Sequence, residues 1–172
     1  MSSKFKRKRE NKEAIKPKHH IDTDVLIDYL TSKDTARFRV ANDYVNKIPS
    51  KFRGHLSIPV LGEFLGVVFN KYSSSMEERQ RLLNSFDEQV SYRKITVMST
   101  FKFERLLPKL HEFYLDSTDL QILLCAITDP DCACLVTTDP NLLNKELGKF
   151  VCKQYTGLRH CPLRIAHPKD VK

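Results

Sequence analysis

The chain has 172 residues, of which 41% are hydrophobic and 29% charged, and this length suits one buried core, because domains usually contain roughly 100–200 residues. Apolar runs such as residues 122–127 are far shorter than the roughly 20 residues of a membrane-spanning helix, and no apolar stretch follows the charged N-terminus as a signal peptide would require. The five cysteines are an odd number, so a disulfide framework is not expected. We therefore expect one cytoplasmic domain with no membrane partner.

The positive charge is concentrated at the N-terminus. The formal net charge is +8 at pH 7, and residues 1–20, with eight Lys or Arg and two Glu, account for six of these charges. Because this segment has almost no aliphatic residues, we expect a disordered basic arm over residues 1–19 and a folded domain over residues 20–172. Two interpretations of the arm stay open. It is a solubilising tail, or it is functional, with a basic run that binds RNA phosphates or, in a eukaryote, acts as a nuclear localisation signal. The residues of this run are Lys4, Lys6, Arg7, Lys8 and Arg9.

Helical and strand patterns alternate along the remaining chain. Helices are predicted where apolar residues recur at helical spacing, and strands where they alternate or form short β-branched runs. In chain order we predict a strand ending at Asp22, a helix over 24–30, a helix within 34–48, a strand over 55–58, a helix over 59–69, a helix over 75–89, a strand over 92–98, a helix over 100–114 that is kinked at Pro108, a helix starting at 116–119, a strand over 133–137, a helix over 141–147 and a strand over 163–165.

This alternation predicts an α/β fold, a single three-layer α/β/α domain with a mainly parallel central sheet joined by right-handed crossovers. The carboxyl ends of parallel strands lie along one edge of the sheet, where ligands bind. Asp22 and Asp139 each follow a predicted strand, Asp119 begins a helix, and Glu63 lies in the opening turns of another. We therefore expect four carboxylates at this edge.

Four carboxylates in one pocket repel one another, and some bind protons unless a cation is present. An all-oxygen set of ligands is what Mg²⁺ or Mn²⁺ prefers. Such an ion neutralises the charge that develops on a phosphodiester and activates water for its hydrolysis. The alternative interpretation is four ordinary helix caps, because Asp is common at helix N-termini whatever the function.

Four short motifs resemble those of the PIN domain, a family of metal-dependent nucleases. They are residues 21–27, 59–65, 119–126 and 136–139, and the resemblance extends over about residues 20–170. It implies that the catalytic and metal-binding residues are Asp22, Glu63, Asp119 and Asp139. It also implies cleavage of single-stranded RNA with Mg²⁺ or Mn²⁺, by a toxin with an antitoxin partner or by a factor in an RNA-processing assembly, often as a homodimer.

Three further residues are candidates for the site. The family often has Asn where this chain has Asp24, so a role for Asp24 stays open, as it does for Asp116, one helical turn before Asp119. Thr138 either orients a phosphate or a water molecule, or stabilises a backbone turn. We do not expect a zinc site, because the spacing of the candidate ligands matches no common zinc module. These ligands are Cys132, Cys134, Cys152, His160 and Cys161.

The leading hypothesis is thus a metal-dependent endoribonuclease. One alternative is a catalytically silent RNA-binding protein of the same fold that acts in an RNA-processing assembly. Another is a 5′-nuclease or phosphatase-like enzyme that uses the same metal chemistry on DNA. The complete set of four acids favours the nuclease over the silent protein.

Overall fold

The structure is a computed structural model that describes residues 16–31, 35–70, 75–92, 96–98, 110, 113–155 and 161–172. Most of the predicted helix over 100–114, with its kink at Pro108, lies outside these residues. The basic run proposed to bind RNA also lies outside them. Within them, no helix has the length and apolar character needed to cross a membrane.

The described elements alternate between strands and helices. The strands are β1 (Lys18–Ile21), β2 (Arg53–Ser57), β3 (Thr96–Met98), β4 (Cys132–Val136) and β5 (Arg164–Ala166). The helices are α1 (Thr23–Thr31), α2 (Ala36–Val45), α3 (Ile58–Asn70), α4 (Met76–Tyr92), α5 (Ser117–Thr128) and α6 (Lys145–Tyr155), followed by a 3₁₀ turn at Pro168–Asp170.

The five strands form one sheet in the order β3-β2-β1-β4-β5, and every neighbouring pair is parallel. β1 is central, and the strand order reverses between β1 and β4. In open α/β sheets, ligands bind outside the carboxyl ends of the strands at such a reversal. The predicted α/β class, with a parallel sheet flanked by helices, is confirmed.

Apolar side chains from the sheet and from the helices meet in one core. Ile21, Leu56 and Leu135, on the three central strands, are completely buried. Burying each such side chain contributes about 1.5–3 kcal/mol. On α3 the buried residues include Val60 and Phe64, one helical turn apart, and the Phe64 ring stacks on Phe86 with centroids 4.5 Å apart. This packing fixes the orientation of α3, which carries Glu63.

β1 begins earlier than the sequence suggests. Lys18 and His19, assigned above to the basic arm, are buried in β1 and pair in parallel with β2 and β4. Lys18 Nζ donates a hydrogen bond to Asp129 Oδ1 at 3.0 Å, and His20 Nε2 lies 2.9 Å from Asp129 Oδ2. Burial opposes ionisation of Asp129, but the hydrogen bonds from His20 and Lys18 hold its pKa well below its usual range. Lys18 therefore anchors the sheet at its amino edge.

Other predicted boundaries also differ from the structure, and two of them have a clear cause. The predicted helix over 141–147 is a turn at its start, because Asp139 Oδ1 accepts hydrogen bonds from the N–H groups of Asn141 and Leu142 at 2.6 and 3.1 Å. The Asn144 side chain then caps a new helix, α6, by accepting from the N–H of Glu146. The predicted strand over 92–98 is shorter, because Tyr92 still belongs to α4.

Candidate functional site

Asp22 lies at the carboxyl end of β1, beside the point where the strand order reverses. Its N–H donates to the Val136 carbonyl of β4 at 2.9 Å. Its Oδ1 accepts from the N–H of Thr23 at 2.6 Å, and its Oδ2 accepts from the Thr137 hydroxyl at 2.5 Å. The residue is only 3% exposed. Asp22 is therefore held in one orientation by both neighbouring segments.

Thr137 connects the ends of three neighbouring strands, and sequence reasoning missed it. It directly follows β4, is completely buried, and donates its N–H to the Ala166 carbonyl of β5 at 3.1 Å. Its hydroxyl donates to Asp22 and accepts from the N–H of Asp139 at 2.9 Å. Thr138, the residue singled out from the sequence, is half-buried and lines a neighbouring cleft together with Asp24. The signal for Thr137 was a hydroxyl at the end of an apolar strand, two residues before an aspartate.

Asp139 and Asp116 both act as caps. Asp139 Oδ1 caps the turn described above, and in the described part of the chain no hydrogen bond reaches its Oδ2. Asp116 is the exposed N-cap of α5, and its Oδ1 accepts from the N–H groups of Thr118 and Asp119 at 2.8 Å each. The cap interpretation therefore accounts for Asp116 and for one oxygen of Asp139, while Asp119 lies half-buried in the first turn that Asp116 caps.

Glu63 and Asp24 approach the same edge from two helices that contact each other. Glu63 is half-buried in the second turn of α3, and Asp24 is in the first turn of α1. The Thr23 hydroxyl donates to the Val60 carbonyl at 3.4 Å, which joins the beginnings of the two helices. This contact keeps Glu63 close to the end of β1.

The pKa of Asp22 reflects both its burial and its nearness to Asp24 and Glu63. Burial raises the pKa of Asp22 to about 7, and the charges of Asp24 and Glu63 add to this effect. Hydrogen bonds from Thr137 and Thr23 oppose it without cancelling it. A carboxylate surrounded by other acids and removed from water holds a proton more firmly than one in solution.

The pKa values of Asp119 and Asp24 are also raised by neighbouring acids. Burial raises the pKa of Asp119 to about 7, with contributions from Asp116, Asp139, Glu63 and Asp24. Asp24 is open to solvent on one side, but the protein around its carboxyl group and the charges of Glu63 and Asp139 raise its pKa. These charge interactions link all four predicted acids and both additional aspartates into one acidic cluster.

The chemistry of these side chains fits a hard divalent cation. Mg²⁺ is commonly held by one or two carboxylates, with water and substrate phosphate completing its shell. Among the described residues, no group of three or more His, Cys, Asp or Glu side chains is arranged to hold a metal ion. The donor atoms are thus of the kind that Mg²⁺ binds, but the described side chains are not arranged as a ready-made metal site. A cation among them would relieve the repulsion that adds to the effect of burial on the pKa values of Asp22 and Asp119.

The parallel sheet and its flanking helices are consistent with a PIN-like α/β/α fold. Among solved structures, the chain is similar to one in the crystal structure of VapBC2 from Rickettsia felis bound to a DNA fragment from their promoter. The TM-score is 0.54 and the identity 18%, over 87% of this chain and 98% of that chain, so the likeness concerns the fold alone. No protein-family model and no curated protein sequence matches the chain.

Proposed function

We propose that the protein is a Mg²⁺- or Mn²⁺-dependent endoribonuclease that hydrolyses phosphodiester bonds of single-stranded RNA. Its catalytic, metal-binding residues in this proposal are Asp22, Glu63, Asp119 and Asp139. The observation that carries the proposal is the convergence of these acids, from four separate segments, at the carboxyl edge beside the reversal of strand order. The choice of RNA rests on the resemblance to the PIN family.

The burial of Asp22 argues against a purely structural role. A buried carboxylate costs free energy unless a cation or several donors compensate it. Asp22 has two donors, but in the described part of the chain no Lys, Arg or His forms a salt bridge with it, and acids surround it. A helix cap can be made by an uncharged Ser, Thr or Asn at no such cost. A divalent cation would compensate the charge.

The proposed division of roles follows from the contacts. In this proposal Asp22 and Asp139 would bind the ion directly, since no described residue hydrogen-bonds to Oδ2 of Asp139. Glu63 and Asp119 would contribute directly or through water. Thr137 is a positioning residue, because its hydroxyl holds Asp22 while accepting from the backbone of Asp139. When bound, the ion would neutralise charge on the reacting phosphate and activate water.

Further parts of the proposal have different grounds. A protein partner, either an antitoxin or an RNA-processing assembly, and a homodimeric state rest on the resemblance. A cytoplasmic location and RNA binding by the basic arm rest on the composition and charge of the sequence.

The function is tested with purified protein and labelled single-stranded RNA and DNA of the same sequence. We expect internal cleavage of the RNA with Mg²⁺ or Mn²⁺ and none with EDTA. Cleavage of RNA in EDTA, or cleavage of DNA alone, would contradict the proposal. Tight RNA binding with no cleavage under any metal would favour the catalytically silent RNA-binding protein instead.

The positioning role of Thr137 gives a second expected result. Thr137→Val keeps the shape of the side chain but removes the donor to Asp22 and the acceptor for the N–H of Asp139. A hydrogen bond to a charged group is worth about 1.5–3 kcal/mol, so kcat should fall by about tenfold to a hundredfold. Thr137→Ser, which restores the hydroxyl, should recover most of the rate.

Thr128→Val is the matched control. In the described part of the chain, the Thr128 hydroxyl bonds to carbonyls of its own helix, α5, near the opposite edge of the sheet, and to no other group. The kcat of this variant should be unchanged. If Thr137→Ser is as slow as Thr137→Val, the hydroxyl is not what positions the acids.

A further inference from the structure

A cleft of about 620 Å³ opens beside the acidic cluster. Its walls come from α1, the beginning of α2, the segment after β4 and the segment after β5. Asp24 and Thr138 line it at the end nearest the acids, and Arg37, His167 and Lys169 line it elsewhere. The cleft is thus continuous with the proposed catalytic site but differs from it in charge.

The C-terminal segment forms the basic wall of this cleft. β5 ends at Ala166, so His167 emerges at the same carboxyl edge as Asp22. The 3₁₀ turn that follows carries Lys169, and Lys47 Nζ, just beyond α2, donates to the Val171 carbonyl at 2.7 Å. Pro168 and Val171 are buried, which fixes this segment against α2. The basic wall is therefore a built surface rather than a free chain end.

The donors of this wall are available to a ligand. Arg37 and Lys169 are exposed, and neither forms a salt bridge with another described residue. His167 Nδ1 accepts a hydrogen bond from the N–H of Lys169 at 3.2 Å, which leaves the proton of a neutral imidazole on Nε2. Burial, and then the charge of Lys169, lower the pKa of His167 against the opposing charges of Asp170 and Asp28, and so favour this neutral form. The wall thus offers two cations and one neutral N–H donor.

The opposite wall is acidic. Asp24 and Asp28 of α1 line the cleft, and Asp24 also belongs to the catalytic cluster. An anion in the cleft is therefore repelled by α1 and attracted by Arg37 and Lys169, and it competes with Asp24 for the charge of Arg37. A single-stranded polynucleotide carries a phosphate at every nucleotide, so a chain with one phosphate at the acids places a neighbouring phosphate alongside.

We propose that this cleft binds a phosphate of the polynucleotide next to the bond that is cut. Arg37 and Lys169 pair with its charge, and His167 donates a hydrogen bond from Nε2. The proposal rests on the nuclease function proposed above, and it adds the direction in which the substrate leaves the acids: over α2 and the C-terminal turn.

The test is the binding of a short fluorescent oligouridine, measured in EDTA over a series of salt concentrations. Arg37→Gln and Lys169→Gln should each weaken binding and reduce the slope of log affinity against log salt by about 0.7, the value for one phosphate contact on a single strand. In the double variant, the slope of log affinity against log salt should be reduced by about 1.4. Because both side chains are exposed, the melting temperature should stay unchanged.

Arg39→Gln, two residues along α2, and Lys153→Gln on α6 are matched controls, because both are exposed and neither lines the cleft. Their slopes should equal that of the wild type. For an oligodeoxyuridine of the same length, the cleft substitutions should reduce the slope of log affinity against log salt by the same amount, because the contact is to phosphate. A loss confined to RNA, or cleft variants that behave like the controls, would overturn the proposal.

This binding test is separate from the cleavage assay. If the cleft variants lose affinity but the wild type cleaves nothing with Mg²⁺ or Mn²⁺, the nuclease function fails and the phosphate subsite stands. If the wild type cleaves RNA and the variants bind as tightly as the controls, the subsite fails alone.

Discussion

Asp22→Asn is expected to slow metal-dependent RNA cleavage by about a hundredfold or more, because charge stabilisation by a bound cation is worth several kcal/mol and each 1.36 kcal/mol is tenfold in rate. The fold should survive. The Asn carbonyl can still accept from the N–H of Thr23, and the Thr137 hydroxyl can rotate to accept from the new amide. Single-turnover cleavage rates at saturating RNA measure the effect, and circular dichroism checks the fold.

Asp43→Asn is the control for this substitution, because Asp43 is exposed on α2 and is outside the acidic cluster. It removes one negative charge without touching the site, so its rate should equal that of the wild type. Asp139→Asn should resemble Asp22→Asn. If both site variants cleave at nearly the wild-type rate, these acids are helix caps and the site lies elsewhere.

Much of the fold could be predicted from local patterns, because the apolar periodicity of each element also determines which face it buries. The placement of Asp22 and Asp139 after strands followed from this, since parallel strands share a carboxyl edge. Lys18 shows where prediction from local patterns fails. It follows a run of basic residues, and only its parallel pairing with β2 and β4 and its contact with Asp129 reveal that it belongs to the sheet.

The contact of the Thr137 hydroxyl with Asp22 could not be predicted from the sequence. Which hydroxyl reaches the acids depends on the register of β4 against β1 and β5, and this register appears in contacts to Asp22 and Ala166 that are distant in sequence. The basic wall of the cleft was missed for a similar reason. Arg37 and Lys169 are separated by most of the chain, and no motif connects them.

Mg²⁺ or Mn²⁺ is expected to raise the melting temperature, and by more at neutral than at acidic pH. The pKa values of Asp22 and Asp119 are raised from 3.8 to about 7. Between pH 3.8 and about 7, the metal-free native state holds protons that the unfolded chain has lost. The contribution of these groups to the free energy of unfolding is therefore greatest below pH 3.8. It falls as the pH rises through this window and stays low above it. A cation competes with these protons, so its stabilising effect grows over the same window.

Thermal unfolding in EDTA and in each metal, at several pH values across the window, measures this effect. A ligand that binds only the folded state adds about 2.7 kcal/mol at a hundredfold excess over its Kd. Asp139→Asn should lose most of the metal-induced shift, whereas Asp43→Asn should keep it. Asp22→Asn should in addition flatten the fall in stability with pH in EDTA, because it removes one of the groups whose raised pKa causes that fall. Equal metal-induced shifts in wild type and in Asp139→Asn would place the ion away from these acids, even if RNA cleavage depended on metal.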